Sequence, residues 1–159
     1  PEAQLDRFML ELRMTYPPLE EEREVAAVTT TDTVQPIDPV IGGDRLLEFQ
    51  GLVRRVPAPP SIVDYAVRLA RSTRPGDDSA PAFIREMVAW GAGPRASQFL
   101  VLGAKARAAL SGRPAPSLED VRAAAPDVLR HRVVPGFEAE AAGRTADDLV
   151  EELIAMVRT

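Results

Sequence analysis

Apolar residues recur at intervals of three and four along most of this chain, which is the spacing of a single helix face. Near the C-terminus, for example, Leu149, Val150 and Leu153 fall on one stripe beside acidic residues. The pattern predicts a mainly α fold, a helical bundle with a short N-terminal arm of strand and helix. Helices are predicted at residues 19–28, 42–54, 61–72, 82–90, 96–110, 117–132 and 146–157.

Residues 10–14 depart from the helical pattern, because apolar and charged residues alternate there one by one. This alternation predicts a half-buried β-strand. A single strand leaves its backbone donors and acceptors without partners, so the other strands of its sheet are expected upstream of Pro1. The chain also begins without a methionine or a signal-like stretch. We therefore expect it to be a fragment of a longer protein.

Prolines divide the helical pattern into two parts. The run at 56–60 (VPAPP) predicts an extended joint, because each proline lacks a donor and restricts the residue before it. A domain boundary is placed there, with residues 1–56 as an arm and residues 57–159 as a helical domain. Residues 29–40 are expected to form an irregular loop, and residues 133–143 an extended turn.

Three further positions carry local signals for helix ends. Ser117 with Asp120 three residues later predicts a capping box at the start of a helix. Thr145 is expected to cap the last helix. Pro126 lies inside a predicted helix, and it therefore predicts a kink or a break.

The segment at 90–96 (WGAGPRA) predicts a helix end, a glycine corner and a new helix with Pro94 in its first turn. Arg95 follows at a place where unpaired backbone N–H groups and the positive end of the helix dipole favour an anion. Two interpretations stay open: Arg95 faces an anion, or it is a solvated residue at a helix start. Trp90 is expected to anchor the core rather than to offer a stacking platform.

Composition and charge narrow the classes of function. The 159 residues carry a formal net charge of −5 with arginines spread along the chain, which argues against a nucleic-acid or anionic-membrane surface. The absence of cysteine excludes a disulfide framework and a thiolate metal site. No apolar run approaches the roughly 20 residues of a membrane span. We expect a soluble, cytoplasmic protein.

Catalytic motifs are mostly missing from the sequence. It contains neither a G-x-x-x-x-G-K-[ST] phosphate loop nor a G-x-G-x-x-G fingerprint. His131, the only histidine, is expected to form hydrogen bonds at a helix end or in the core rather than to act as a base. The acidic runs at 20–24 and 147–152 are expected to be solvated helix faces, not metal sites. Arg7, just before the predicted strand, suggests by itself only a salt bridge.

Taken together, these segments resemble the C-terminal part of a MoxR-type AAA+ ATPase. The resemblance covers nearly the whole chain and is weakest at residues 29–40. It implies a helical lid domain at 57–159, and at 1–56 the remnant of an α/β ATPase core whose parent forms a ring and remodels or matures partner proteins. The matching segments are 1–8 (PEAQLDRF), Tyr16-Pro17, Val56-Pro57, 90–96, the helix to Leu110, Gly112-Arg113 and 129–132 (LRHR).

The resemblance also implies roles for two arginines. Arg95 is similar to the sensor-2 arginine of the lid, which would contact the nucleotide phosphates and stabilise charge during phosphoryl transfer. Arg7 matches the arginine finger, which reaches the ATP of a neighbouring subunit, and Asp6 would orient it. ATP and Mg²⁺ are implied for the longer parent alone. Its phosphate loop would precede Pro1, so this chain should be inactive by itself.

Two alternatives come from other classes of protein. The chain could be a helical interaction or regulatory domain that binds no nucleotide, with Arg95 as a plain surface residue. A DNA-binding helical module would require salt-dependent binding to phosphates, which the net charge of −5 disfavours. A phosphate loop upstream of Pro1 would support the ATPase.

Overall fold

The computed structural model describes residues 2–32 and 36–157, and the predicted mainly α fold is confirmed. The loop predicted at 29–40 lies partly outside the described residues. In chain order the helices are α1 (Glu2–Leu5), α2 (Leu19–Thr29), α3 (Gly43–Arg55), α4 (Pro60–Ser72), α5 (Ala82–Met87), α6 (Pro94–Leu110), α7 (Leu118–Leu129), α8 (Phe137–Ala141) and α9 (Ala146–Met156), and the strands are β1 (Val88–Trp90) and β2 (Val134–Pro135).

Helix α6 is the centre of the core. It packs against α4 on one flank and α7 on another, and α9 packs against α7 and α4. A Cβ atom at Gly103 would lie only 3.0 Å from the Ala124 Cβ atom, so small residues let α6 and α7 approach closely, as their spacing predicts. The largest fully buried side chains include those of Tyr65, Leu69, Ile84, Leu100, Leu129, Leu149 and Leu153.

Most helix starts follow the local signals. Helices α4 and α6 begin with a proline. Proline has no N–H group, and at this position the N–H of any other residue would lack a partner within the helix. The capping box of Ser117 and Asp120 is present, and Thr145 forms another with Asp148. Helix α7 continues through Pro126 without a break and ends at Leu129, three residues before the predicted end.

The predictions for residues 82–90 and 133–143 are partly wrong. Helix α5 ends at Met87, and the next three residues form β1, which pairs antiparallel with β2. The Gly136 N–H continues this pairing by donating to the Met87 carbonyl over 2.7 Å. The predicted turn also contains the short helix α8. Pairing between segments distant in sequence therefore overrides the helical periodicity of residues 88–90.

The predicted strand at 10–14 is wrong. Residues 10–18 form no strand, and the only sheet in the described part of the chain is the β1–β2 pair. The Glu11 N–H instead donates to the Asp127 carbonyl of α7 over 2.9 Å. Met14 is 92% exposed, so the alternation of apolar and charged residues corresponds to no buried face here.

Helices α2 and α3 contribute little to the core, because every residue of each is at least partly exposed. The acidic run at 20–24 is exposed, as predicted, with Glu20 paired to Arg23. In the second run Asp148 and Glu151 are exposed, as predicted, whereas Asp147 is partly buried and forms ion pairs with Arg13 and Arg130. Across the part of the chain that the structure describes, no helix is both long and apolar enough to cross a bilayer.

The carboxylate of Asp120 joins two segments near the start of α7. Its oxygens accept from Arg113 Nη1 and Nη2 over 2.7 and 2.6 Å and from the Ser117 N–H over 2.8 Å. Hydrogen bonding by Arg113 is the main cause that lowers the pKa of Asp120 to about 2. The residue is only 5% exposed, so this pair ties the end of α6 to α7.

We therefore expect an acid-dependent loss of stability. Because the pKa of Asp120 is lowered by folding, its contribution is complete above the unfolded value of about 3.9 and is lost as the pH falls towards about 2. Denaturant titrations between pH 6 and pH 2 would measure it. The variant Asp120→Asn should lose part of this pH dependence; an unchanged profile would contradict the assignment.

Candidate functional site

The glycine corner, residues 91–93, is fixed to the end of α4 by hydrogen bonds. The Ala92 N–H donates to Thr73 Oγ1 over 2.8 Å, and Arg74 Nε donates to the Ala92 carbonyl over 2.8 Å. A Cβ atom at Gly91 would lie 2.2 Å from the Thr73 carbonyl oxygen, so only glycine fits. This fixed corner determines where α6, and with it Arg95, begins.

Arg95 lies in the first turn of α6, as predicted. No side chain caps this helix start, so the backbone N–H of Arg95 points out of the helix end without an intrahelical partner. The Arg95 side chain is 49% exposed, and its Nη1 lies 3.1 Å from Asp6 Oδ2. The guanidinium is thus accessible to solvent and held from one side only.

Arg132, for which the sequence pattern predicts no role, is the most buried charged group at this site. Its side chain is 1% exposed, and its Nε donates to Asp6 Oδ1 over 3.0 Å. The ring of Phe99 lies 5.1 Å below the guanidinium carbon. Burial lowers the pKa of Arg132, and the hydrogen bond to Asp6 opposes that effect. The available signal was an arginine three residues after Leu129, the buried last residue of α7.

Residues 6–13, which we call the N-terminal strap, lie along the C-terminal end of α7. Arg132 Nη2 donates to the carbonyls of Asp6 and Phe8 over 2.8 and 2.6 Å, and Arg130 Nη1 donates to the Glu11 carbonyl over 3.2 Å. Because these acceptors are backbone atoms, the hydrogen bonds fix the path of the strap's main chain and not only the positions of its side chains. In this structure the strap therefore packs against the helical domain.

His131 lies at the end of α7, as its expected role requires. Its Nε2 atom is 3.3 Å from the Phe8 carbonyl oxygen and 2.6 Å from Arg132 Nη1. Burial lowers the pKa of His131, and the positive charge of Arg132 lowers it further. Both effects favour the neutral form of the imidazole.

An open cavity of about 320 Å³ lies beside the side chains of Asp6, His131 and Arg132. The expectation that Trp90 anchors the core is wrong, because its side chain is 72% exposed. Strand β1 brings Trp90 to the surface, where it borders the cavity together with the glycine corner. The lining residues are Asp6, Trp90, Gly91, Gly93, His131, Arg132 and Val134.

Arg7 is the next residue after Asp6, and it is exposed. Among the described residues no side chain forms a hydrogen bond or ion pair with it. The Asp6 carboxylate pairs with Arg95 and Arg132 in this structure, and its expected role in orienting Arg7 stays a prediction. Asp6 therefore contacts Arg95 and is the neighbour of Arg7 in sequence.

The charges of the site favour an anion. Arg95 and Arg132 share a single carboxylate, that of Asp6. These three side chains together carry an excess of positive charge, in a chain whose net charge is −5. Within the described residues no group of three or more His, Asp or Glu is placed to hold a metal ion.

The chain is similar to known proteins over nearly its whole length. Residues 82–153 match the AAA lid domain family. The chain is 34% identical over 154 residues to the chaperone MoxR1 of Mycobacterium tuberculosis, and 33% identical over 176 residues to the protein MoxR of Methylorubrum extorquens. These matches cover 97% and 99% of this chain, but 39% and 49% of the relatives.

A solved structure has the same fold. The crystal structure of a candidate ATPase from Cytophaga hutchinsonii superposes with a TM-score of 0.83 at 29% sequence identity, over 99% of this chain and 48% of that one. An uncharacterised protein of Bacillus subtilis, YeaC, is 33% identical over 159 residues, with 99% of this chain and 47% of YeaC covered. The chain thus spans less than half the length of each of these proteins.

Proposed function

Because this chain is the C-terminal part of a MoxR-type AAA+ ATPase and carries its lid domain, we propose that it supplies two arginines to ATP hydrolysis. Arg95 acts as the sensor-2 residue and contacts the phosphates of the nucleotide. Arg7 acts as the arginine finger and reaches a phosphate bound by a neighbouring subunit. The parent protein couples this hydrolysis to the remodelling or maturation of partner proteins.

The observation that carries the proposal is the setting of Arg95. Its guanidinium is half exposed, is fixed at a helix start by the glycine corner, and has Asp6 as its charged partner. An arginine in that setting keeps donors available for phosphate oxygens, and the N-terminal end of α6 adds favourable partial charge. The residues present therefore fit a phosphate group.

Arg7 directly follows Asp6 in the strap, and its side chain is exposed. The backbone of Asp6 and Phe8, on either side of Arg7, is bonded to the buried Arg132. The Arg7 side chain is thus anchored at its base and extends to solvent. A finger needs this combination, because it has to reach another subunit while its own backbone stays in place.

ATP and Mg²⁺ would act in the longer parent. When bound, ATP supplies the phosphoryl group that is transferred to water, with charge developing on the phosphate oxygens. This chain would contribute positive charge from Arg95 and Arg7 to those oxygens. The ligands of Mg²⁺ and the phosphate loop would come from other parts of the parent, because the sequence has no such loop.

The variant Arg95→Ala in the full-length ATPase tests the proposal. A hydrogen bond to a charged group contributes about 1.5–3 kcal/mol, so steady-state ATP turnover should fall roughly 10- to 100-fold while the melting temperature stays nearly unchanged. Arg45→Ala is the matched control, because Arg45 is an exposed arginine in the first turn of α3, paired with Glu48.

Turnover by the Arg45→Ala variant should equal that of the unmodified ATPase. If Arg95→Ala also left turnover unchanged, the sensor-2 assignment would be wrong. That result would favour the alternative of a helical interaction domain that binds no nucleotide.

A further inference from the structure

Asp6 occupies a bridging position that its family motif does not explain. One carboxylate oxygen, Oδ1, accepts from Arg132 Nε over 3.0 Å, and the other, Oδ2, lies 3.1 Å from Arg95 Nη1. These partners differ in exposure, because the Arg132 side chain is 1% exposed and the Arg95 side chain is 49% exposed. Asp6 thus links a buried arginine to a solvent-accessible one.

Arg132 is suited to be the fixed partner. Besides Asp6 Oδ1, its donors reach the carbonyls of Asp6, Phe8, Met9 and Val128. A planar guanidinium whose donors are all directed to acceptors has little freedom to move. Its position, and through it the Asp6 carboxylate, is therefore set by the end of α7 and by the strap.

We propose that Asp6 is a positioning residue that holds Arg95 at a set distance from Arg7. This inference rests on the proposed function, in which both arginines contact phosphate. Because the carbonyls of Asp6 and Phe8 accept from Arg132, the backbone on either side of Arg7 is tied to the same buried guanidinium that holds the Asp6 carboxylate. Arg7 and Arg95 would therefore keep their relative positions as long as these contacts persist.

The variant Asp6→Asn separates this role from a structural one. The asparagine side chain keeps an oxygen that can accept from Arg132, so the buried guanidinium retains its partner. Its amide nitrogen would then occupy the place of Oδ2 and face Arg95 Nη1, donor against donor. The variant therefore removes the contact with Arg95 and preserves the contact with Arg132.

A double-mutant cycle on ATP turnover by the full-length ATPase tests the inference. Asp6→Asn should lower turnover about three- to tenfold when Arg95 is present, and less than twofold in the Arg95→Ala background, because contacting residues couple. Asp6→Glu keeps the charge but shifts it by one methylene group. It should likewise lower turnover more when Arg95 is present than in the Arg95→Ala background. Glu152→Gln is the control, since it removes a comparable ion pair with Arg144 elsewhere.

Three outcomes would overturn the inference. An equal loss of turnover in both backgrounds would show that Asp6 acts only through folding or through Arg132. No loss with Arg95 present would show that the contact is dispensable. If Arg95→Ala itself left turnover unchanged, the proposed function would fail as well. Failure of the proposed function can therefore be distinguished from failure of the inference about Asp6 alone. Melting temperatures of every variant establish that each is folded.

Discussion

Replacing Arg7 by alanine in the full-length ATPase is expected to lower ATP turnover roughly a thousandfold, the lower end of the effect of removing an arginine finger. The physical reason is that the guanidinium neutralises charge on the transferred phosphoryl group. The fold should be retained, because the Arg7 side chain is exposed and the strap is held by contacts of Arg130 and Arg132. Arg23→Ala on α2 is a control for loss of an exposed arginine.

A subunit-mixing experiment tests whether Arg7 acts across an interface. Arg7→Ala subunits would be mixed with subunits whose phosphate-loop lysine, outside this chain, has been replaced. Each type alone should be inactive. In mixed assemblies an intact phosphate site meets an intact Arg7 of its neighbour, so turnover should reappear. Co-purified mixed assemblies that stay inactive would contradict action between subunits, and unchanged turnover of Arg7→Ala would contradict the finger itself.

Gly91→Ala is expected to destabilise the helical domain by about 3 kcal/mol, the upper end for overpacking, and to lower the melting temperature by roughly 6–12 °C. The added Cβ atom would lie 2.2 Å from the Thr73 oxygen and 2.7 Å from the Arg74 Cα atom. Both are backbone atoms, so no side chain can turn away to make room. Relief requires the glycine corner to separate from the end of α4. Thermal unfolding followed by circular dichroism measures the effect.

The matched control lies two residues further along the same corner. A Cβ atom at Gly93 would have no neighbour within 4 Å, and its φ of −75° suits any residue. Gly93→Ala should therefore unfold at nearly the temperature of the unmodified chain. Equal destabilisation by both substitutions would show that general flexibility of the corner, rather than the close approach of Thr73, explains the glycines.

The helices could be predicted because their signals are local. The proline starts of α4 and α6 and the capping boxes at Ser117 and Thr145 use residues within one turn of each other. The position of Arg95 followed in the same way from Pro94 and the glycines before it. Such features depend on neighbours in sequence, so one sequence is sufficient to predict them.

The wrong predictions concern contacts between distant segments. Residues 10–14 have the alternation of a strand, but the structure places them beside α7 and not beside another strand. Trp90 was expected in the core from its size, yet its pairing with Val134 brings it to the surface. Periodicity specifies which face of an element is apolar, but not which element will cover it.

The bridge through Asp6 was not predictable for a similar reason. Asp6 and Arg132 are separated by 126 residues, and Asp6 and Arg95 by 89. Nothing in the composition of either segment indicates its partner. The resemblance to a known family identified Arg7 and Arg95 by their motifs, whereas the anchoring role of Arg132 required the structure.

The docked strap has a consequence for the order of folding. Its contacts with Arg130, His131 and Arg132 close loops across 119 to 126 residues, and the entropy lost in closing a loop increases with its length. Helix pairs such as α6 and α7 meet across a short connection and form early by comparison. We therefore expect the strap to dock after the helix pairs have formed. The contacts of Asp6 with Arg95 and Arg132 would then be among the last to form.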